Sequence, residues 1–240
     1  MCGIFFSLCR QEHVLPDSGT EQLLKNRGPD SLGIQQRLLF TRYGEHETDA
    51  APLYATFVST VLALRGAQVT EQPLVDEKSG SMLCWNGEAW RLREDTVPGN
   101  DSQVVFQVLL EACKAAALMS SASAIDQIVS VLSSIRGPYA FVFYDATSHH
   151  LFFGRDCLGR RSLLKKRTSN SDLIISSVCD NATGEDWAEI EADGIYVLEV
   201  TARSRKHPLS IIHIPHRRSK DETGRPSFVG KFFFTESMLT

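Results

Sequence analysis

The sequence predicts an α+β fold in which helices cover two antiparallel sheets. Three observations lead there. Short runs rich in apolar, β-branched and aromatic residues, read as strands, occupy both halves of the chain. Between them, over residues 101–135, apolar residues switch to helical spacing. The resulting order is strands, two helices, then strands again, without the alternation that builds parallel βαβ units. The 240 residues suffice for one large domain or two small ones.

Each element has its own signal. Gly3 to Leu8 is short, apolar and aromatic, a buried strand. A short helix over Thr20 to Lys25 stops at Arg27-Gly28-Pro29, because Pro29 drives Gly28 out of helical geometry. Leu32 to Phe40 and Leu53 to Leu64 read as strands. Ser81 to Trp85 is another, running into the turn signal Asn86-Gly87. Asp101 is placed to open a helix reaching Ala117, whose apolar face includes Val104, Val105, Val108, Leu109 and Ala112. A second helix spans Ala124 to Ile135 and ends at Gly137-Pro138. Strands follow at Tyr139 to Tyr144, Leu151 to Gly154, Asp172 to Ser177 and Gly194 to Val200, with a turn over Asp145 to His149. From about residue 201 the chain becomes basic and polar, as in Ala202-Arg203-Ser204-Arg205-Lys206. A domain over 2–200 and a poorly packed tail over 201–240 are expected, although Phe232, Phe233 and Phe234 are unusual for such a tail.

Composition narrows the function. A hydrophobic fraction of 42% with 22% charged residues is that of an ordinary soluble domain. The net charge of -4 gives no sign of a nucleic-acid partner. No apolar run approaches the roughly 18 residues of a membrane span, and the N-terminus lacks the plan of a signal peptide. Six scattered cysteines without a C-x-x-C pair argue against a structural zinc site and fit a reduced, cytoplasmic setting.

Six features bear on chemistry. Cys2 follows the initiator methionine; removal of Met1 would give one residue both a thiol nucleophile and an α-amine base. Arg27-Gly28-Pro29-Asp30-Ser31 is a charged tight turn. Arg65 closes an apolar strand, where a guanidinium can grip a carboxylate. In Asn86-Gly87-Glu88, the amide and the glycine N–H can form an oxyanion hole, while the same Asn-Gly pair is also the commonest hairpin turn. Asp101 can receive an ammonium group or merely begin a helix. Gly154 to Arg161 is a charged turn whose structural role is the expected one.

In this order the motifs resemble the glutaminase domain of class II glutamine amidotransferases, most nearly the asparagine synthetase branch. Gly137 to Asp145 matches its G-x-x-A-F-x-x-Y-D pattern, and Gly154 to Gly159 its G-R-D-x-x-G. Arg27-Gly28-Pro29-Asp30 favours this branch over phosphosugar-linked relatives with R-G-Y-D. The resemblance covers about residues 2–200. It implies a four-layer αββα N-terminal-nucleophile hydrolase sandwich. It also implies that Cys2 attacks the side-chain amide of glutamine, that Asn86 and Gly87 hold the oxyanion, and that Arg65, Glu88 and Asp101 bind the substrate. Glutamate and ammonia would leave through a γ-glutamyl thioester, without metal or cofactor.

The sequence also departs from that pattern. The stretch Arg65 to Leu74 is shorter than the family's, and N-G-E-I-Y-N becomes Asn86-Gly87-Glu88-Ala89-Trp90-Arg91, which implies weaker glutamine binding. No Ser-Gly-Gly-x-Asp-Ser loop follows, so the ATP- and magnesium-using synthetase half is expected outside this chain. A partner would then carry the ammonia-acceptor site. The alternative is a catalytically weak or inactive amidotransferase fold kept as a binding module.

Overall fold

The computed structural model describes residues 1–39, 52–116, 121–180, 186–200, 209–216, 218–220 and 226–228. The first half runs β1 (Gly3–Cys9), α1 (Ser18–Arg27), β2 (Ser31–Leu39), β3 (Leu53–Val61), β4 (Leu74–Val75), β5 (Met82–Gly87), β6 (Arg91–Leu92) and β7 (Asp95–Thr96). Two helices follow, α2 (Asp101–Ala116) and α3 (Ser121–Ser133). The second half adds β8 (Ile135–Arg136), β9 (Tyr139–Asp145), β10 (His150–Arg155), β11 (Leu164–Arg167), β12 (Leu173–Ser176), β13 (Ala188–Glu189), β14 (Gly194–Glu199) and β15 (Ile211–Pro215). A small hairpin, β16 (Arg218–Lys220) with β17 (Pro226–Phe228), comes last.

Two six-stranded sheets dominate, ordered β13-β11-β12-β1-β3-β2 and β15-β14-β10-β9-β5-β4. Every pairing within them is antiparallel. Alternation along β1 explains the layering. Ile4, Phe6 and Leu8 point into the space between the sheets, against Met82 and Cys84 of β5 and Ala140 and Val142 of β9. Phe5 points the other way, with Leu24 of α1, Val58 and Ile174. On the far side of the second sheet, Leu83, Trp85, Phe141 and Phe143 pack under α2 and α3. The layers are therefore helix, sheet, sheet, helices, the expected sandwich. Burial on both faces makes β1 and β9 nearly continuous apolar runs, broken by Ser7 and ended by Asp145, rather than alternating ones.

The elements depart from the sequence reading in instructive places. The first helix starts earlier than Thr20, because Asp17 caps it and accepts a hydrogen bond from the Thr20 N–H at 2.8 Å. Asn86-Gly87 is not a hairpin turn: both residues lie in β5, opposite Ala140 and Tyr139 of β9. Ile135 leaves the second helix and pairs with Leu92. Within the stretch read as a tail, Ile211–Pro215 adds a strand beside β14, so the second sheet extends past residue 200. Phe232 to Phe234 and Ala202 to Lys206 lie outside the described residues. Among the described residues, no helix is long and apolar enough to cross a membrane.

Candidate active site

Four chain segments meet at one end of the sandwich. β1 begins there, just after Cys2. β3 ends there at Val61, and the antiparallel register of Gly3 with Thr60 sets Cys2 beside the chain that continues to Arg65. β5 ends there at Asn86 and Gly87, and α2 begins there at Asp101. The cleft they line has a cavity volume of about 50 Å³. Cys2, Arg65, Asn86, Gly87, Glu88 and Asp101 all line it, as do Met1, Gln72 and Arg161.

The Arg27 to Ser31 run positions the end that bears Cys2. Arg27 donates from Nε to the Cys2 carbonyl at 3.3 Å and from Nη1 to the Ser162 hydroxyl at 2.9 Å. Gly28 lies so close to β3 that an added Cβ would stand 2.4 Å from the carbonyl carbon of Thr60. The Asp30 N–H donates to the Val61 carbonyl at 2.9 Å, and its carboxylate accepts from the Ala63 N–H at 2.7 Å. The run thus fixes both β1 and the segment leading to Arg65.

Burial pushes the Cys2 thiol up from its ordinary pKa, with Asp101 adding to the rise and Arg27 opposing it. Sγ lies 3.9 Å from the Leu62 carbonyl. A thiol so placed is protonated near neutral pH and needs a base before it can attack. The α-amine of Met1 is lowered from its ordinary value, first by burial and then by Arg27 and Arg161.

Asn86 is 1% exposed, and its Nδ2 is buried without a hydrogen-bond partner among the described residues. Such an orphan donor costs stability unless something else receives it. The Glu88 N–H donates to the Pro138 carbonyl at 2.9 Å, which makes Gly87 and Tyr139 a non-hydrogen-bonded pair. The Gly87 N–H therefore points away from β9, to the edge where the Trp85 N–H meets Gln72 Oε1 at 2.7 Å. Only glycine fits there, since a Cβ would stand 2.6 Å from that of Tyr139.

The charged side chains of the cleft already hold protein partners. Asp101 Oδ2 accepts from Trp85 Nε1 at 3.0 Å and from the Ala89 N–H at 2.7 Å. Arg65 donates to the carbonyls of Ala89 at 3.2 Å and Val97 at 2.8 Å. Glu88 Oε1 pairs with Arg161 Nη2 at 2.9 Å. Sequence reasoning missed Arg161 as a cleft residue. Its only signal was the arginine pair after Gly159, in a segment read as structural. That reading holds for its neighbours: buried Asp156 accepts from the N–H groups of Tyr139, Leu158 and Arg160 and from Arg160 Nε.

The glutamine amidotransferase domain family matches residues 1–213. The chain belongs to that family. It is 34% identical over 208 residues to asparagine synthetase domain-containing protein 1 of Bos taurus, covering 85% of this chain and 28% of that protein. Against the Gallus gallus protein of the same name the identity is 34% over 223 residues, covering 90% of this chain and 32% of the relative. The domain thus spans less than a third of the length of these two curated relatives. Among solved structures, glutamine phosphoribosylpyrophosphate amidotransferase from B. subtilis superposes with a TM-score of 0.56 at 15% identity, over 90% of this chain and 50% of that one. That likeness concerns the fold, and it agrees with the sandwich described above.

Proposed function

We propose that this amidotransferase domain hydrolyses glutamine to glutamate and ammonia through a thioester on Cys2, as the glutaminase part of an asparagine-synthetase-type system. The observation that carries the reading is the buried Asn86 Nδ2 at the cleft, without a partner among the described residues, beside a Gly87 N–H turned away from its sheet partner. Two donors on adjacent residues of one cleft suit a developing oxyanion.

The steps follow from the residues. Removal of Met1 turns the Cys2 amide nitrogen into a free α-amine. This amine takes the thiol proton, and Sγ attacks the γ-carbonyl of glutamine. Asn86 and Gly87 hold the resulting oxyanion. Collapse of the intermediate breaks the C–N bond, and the α-ammonium returns its proton to the leaving ammonia. Water then attacks the thioester with the α-amine again as base, releasing glutamate and restoring the thiol. Arg65, in this reading, receives the α-carboxylate of the substrate and Asp101 its α-ammonium. In this reading the step uses no metal or cofactor, occurs in the cytoplasm, and delivers ammonia to an acceptor site on the rest of a longer protein or on a partner.

The test is glutamate release by protein freed of Met1, alongside Cys2→Ala. Activity present in the first and absent in the second is expected. Activity that survives Cys2→Ala, or full activity with Met1 retained, would sink the mechanism. A second reading, a domain that binds without turnover, draws on the fact that Arg65, Glu88 and Asp101 already hold protein partners. Failure of diazo-oxo-norleucine to label Cys2 in the processed protein would favour it.

A further inference from the structure

Arg161 is a charged cleft residue that the proposed mechanism leaves without a task. Its backbone is held firmly, because its carbonyl accepts from Arg155 Nε at 2.7 Å within the buckle that follows β10. Its side chain is 17% exposed and reaches into the cleft beside Cys2. Nη2 is paired with Glu88, Nη1 lies 3.3 Å from the Met1 sulfur, and Nε is buried without a partner among the described residues. A thioether is a weak acceptor for a cation. The guanidinium therefore has one strong acceptor and spare donors in a partly buried place.

The other two arginines of the cleft region are more fully engaged. Arg27 is committed to the Cys2 carbonyl and Ser162, and Arg65 spans two backbone carbonyls. The charges also matter. Arg161 neutralises Glu88, which leaves Asp101 as the carboxylate able to meet a substrate ammonium. Once Met1 is removed, Nη1 faces the space that its side chain filled, next to the nucleophile.

We infer that Arg161, held in place by Glu88, receives the α-carboxylate of glutamine and is a specificity-determining residue of this domain. The inference rests on the proposed function and adds a second guanidinium to its substrate site. In it, Glu88 acts as a positioning residue for Arg161 rather than as a contact to the substrate. A charge-assisted hydrogen bond of this kind gives about tenfold or more in affinity.

The test compares L-glutamine with L-glutaminamide, which lacks the carboxylate. Calorimetry would measure the binding of each to Met1-free protein in which Cys2→Ala prevents turnover, with position 161 wild type or carrying Arg161→Ala or Arg161→Lys. Wild type should prefer glutamine by about tenfold or more. Arg161→Ala should cut that preference by about threefold or more, Arg65 keeping the rest, while its binding of glutaminamide changes far less, a pattern that general damage to the cleft would not produce. Arg161→Lys, which keeps the charge, should retain part of it. A preference undiminished in Arg161→Ala overturns the inference, and so does equal weakening of both ligands or a wild type that does not distinguish them. Labelling of Cys2 by diazo-oxo-norleucine in Met1-free protein with Cys2 intact reports separately on the proposed function.

Discussion

Arg27 donates from Nε to the carbonyl of Cys2 at 3.3 Å, across 25 residues of chain. This bond links the end of the first helix to the start of the first strand. It places the candidate nucleophile from behind, through its backbone, and leaves the thiol to face the cleft. Arg27→Lys keeps the charge and loses the fork that reaches both Cys2 and Ser162. A misplacement of about 1 Å can cost on the order of a hundredfold in rate. Glutamine hydrolysis by Arg27→Lys should therefore fall by about tenfold or more in kcat, with a smaller change in KM. Steady-state kinetics of the processed protein check this, and a change confined to KM would contradict it.

Asn86 offers a sharper separation of function from stability. Among the described residues its Nδ2 makes no hydrogen bond, so replacing it removes no partner of that donor there. Removing an oxyanion donor costs about 10²–10³ in rate. Asn86→Ala should lose that activity while its unfolding free energy falls by less than about 2 kcal/mol, the remaining cost coming from lost packing. Urea unfolding measured beside glutamate release tests the pair. A large stability loss would mean that the amide supports the fold and not the chemistry.

The same residue shows why parts of the molecule were legible in the sequence and others were not. Asn-Gly is a local turn signal, and it fails here because the long-range register with Ala140 and Tyr139 carries β5 through both residues. The two long helices were legible because their apolar spacing is internal to each. β11 was not: Leu164-Lys165-Lys166-Arg167 carries its charges into a sheet, where Lys165 lies 5.3 Å from the ring centre of Tyr196 and Lys166 lies 4.8 Å from that of Trp187. The edge strand at Ile211–Pro215 was hidden by the basic stretches on either side of it. The six candidate site residues share one cleft, yet their internal partners were not legible. That Asp101 accepts from Trp85, or that Glu88 pairs with Arg161, depends on where distant segments meet.

The buried thiols predict a dependence on alkaline pH. Burial pushes Cys9 up to about 11 and Cys84 up to about 12. An unfolded thiol ionises near its ordinary value of about 8.5, so the folded state holds these protons where the unfolded state releases them. Stability from this source is complete below about pH 8.5. It is lost as pH rises from there towards the folded values, at about 1.4 kcal/mol per pH unit for each thiol. Urea midpoints between pH 8 and pH 11 should fall in the wild type and fall less steeply in Cys9→Ala with Cys84→Ala, each series compared with its own midpoint at low pH. Parallel slopes would show that other groups govern alkaline unfolding.

Asp101 tests whether one carboxylate serves both the fold and the substrate. Its Oδ2 receives two hydrogen bonds, from Trp85 Nε1 and from the Ala89 N–H, and the residue is only 6% exposed. Asp101→Ala would leave both donors buried and unpaired, at about 1–3 kcal/mol each. Asp101→Asn differs, because its amide oxygen can still accept from both donors while the negative charge is gone. If the charge receives the substrate ammonium, Asp101→Asn should stay close to wild type in thermal unfolding and raise the KM for glutamine by about tenfold or more. Asp101→Ala should lose stability as well. Equal KM values for wild type and Asp101→Asn would confine Asp101 to holding Trp85 and Ala89 in place.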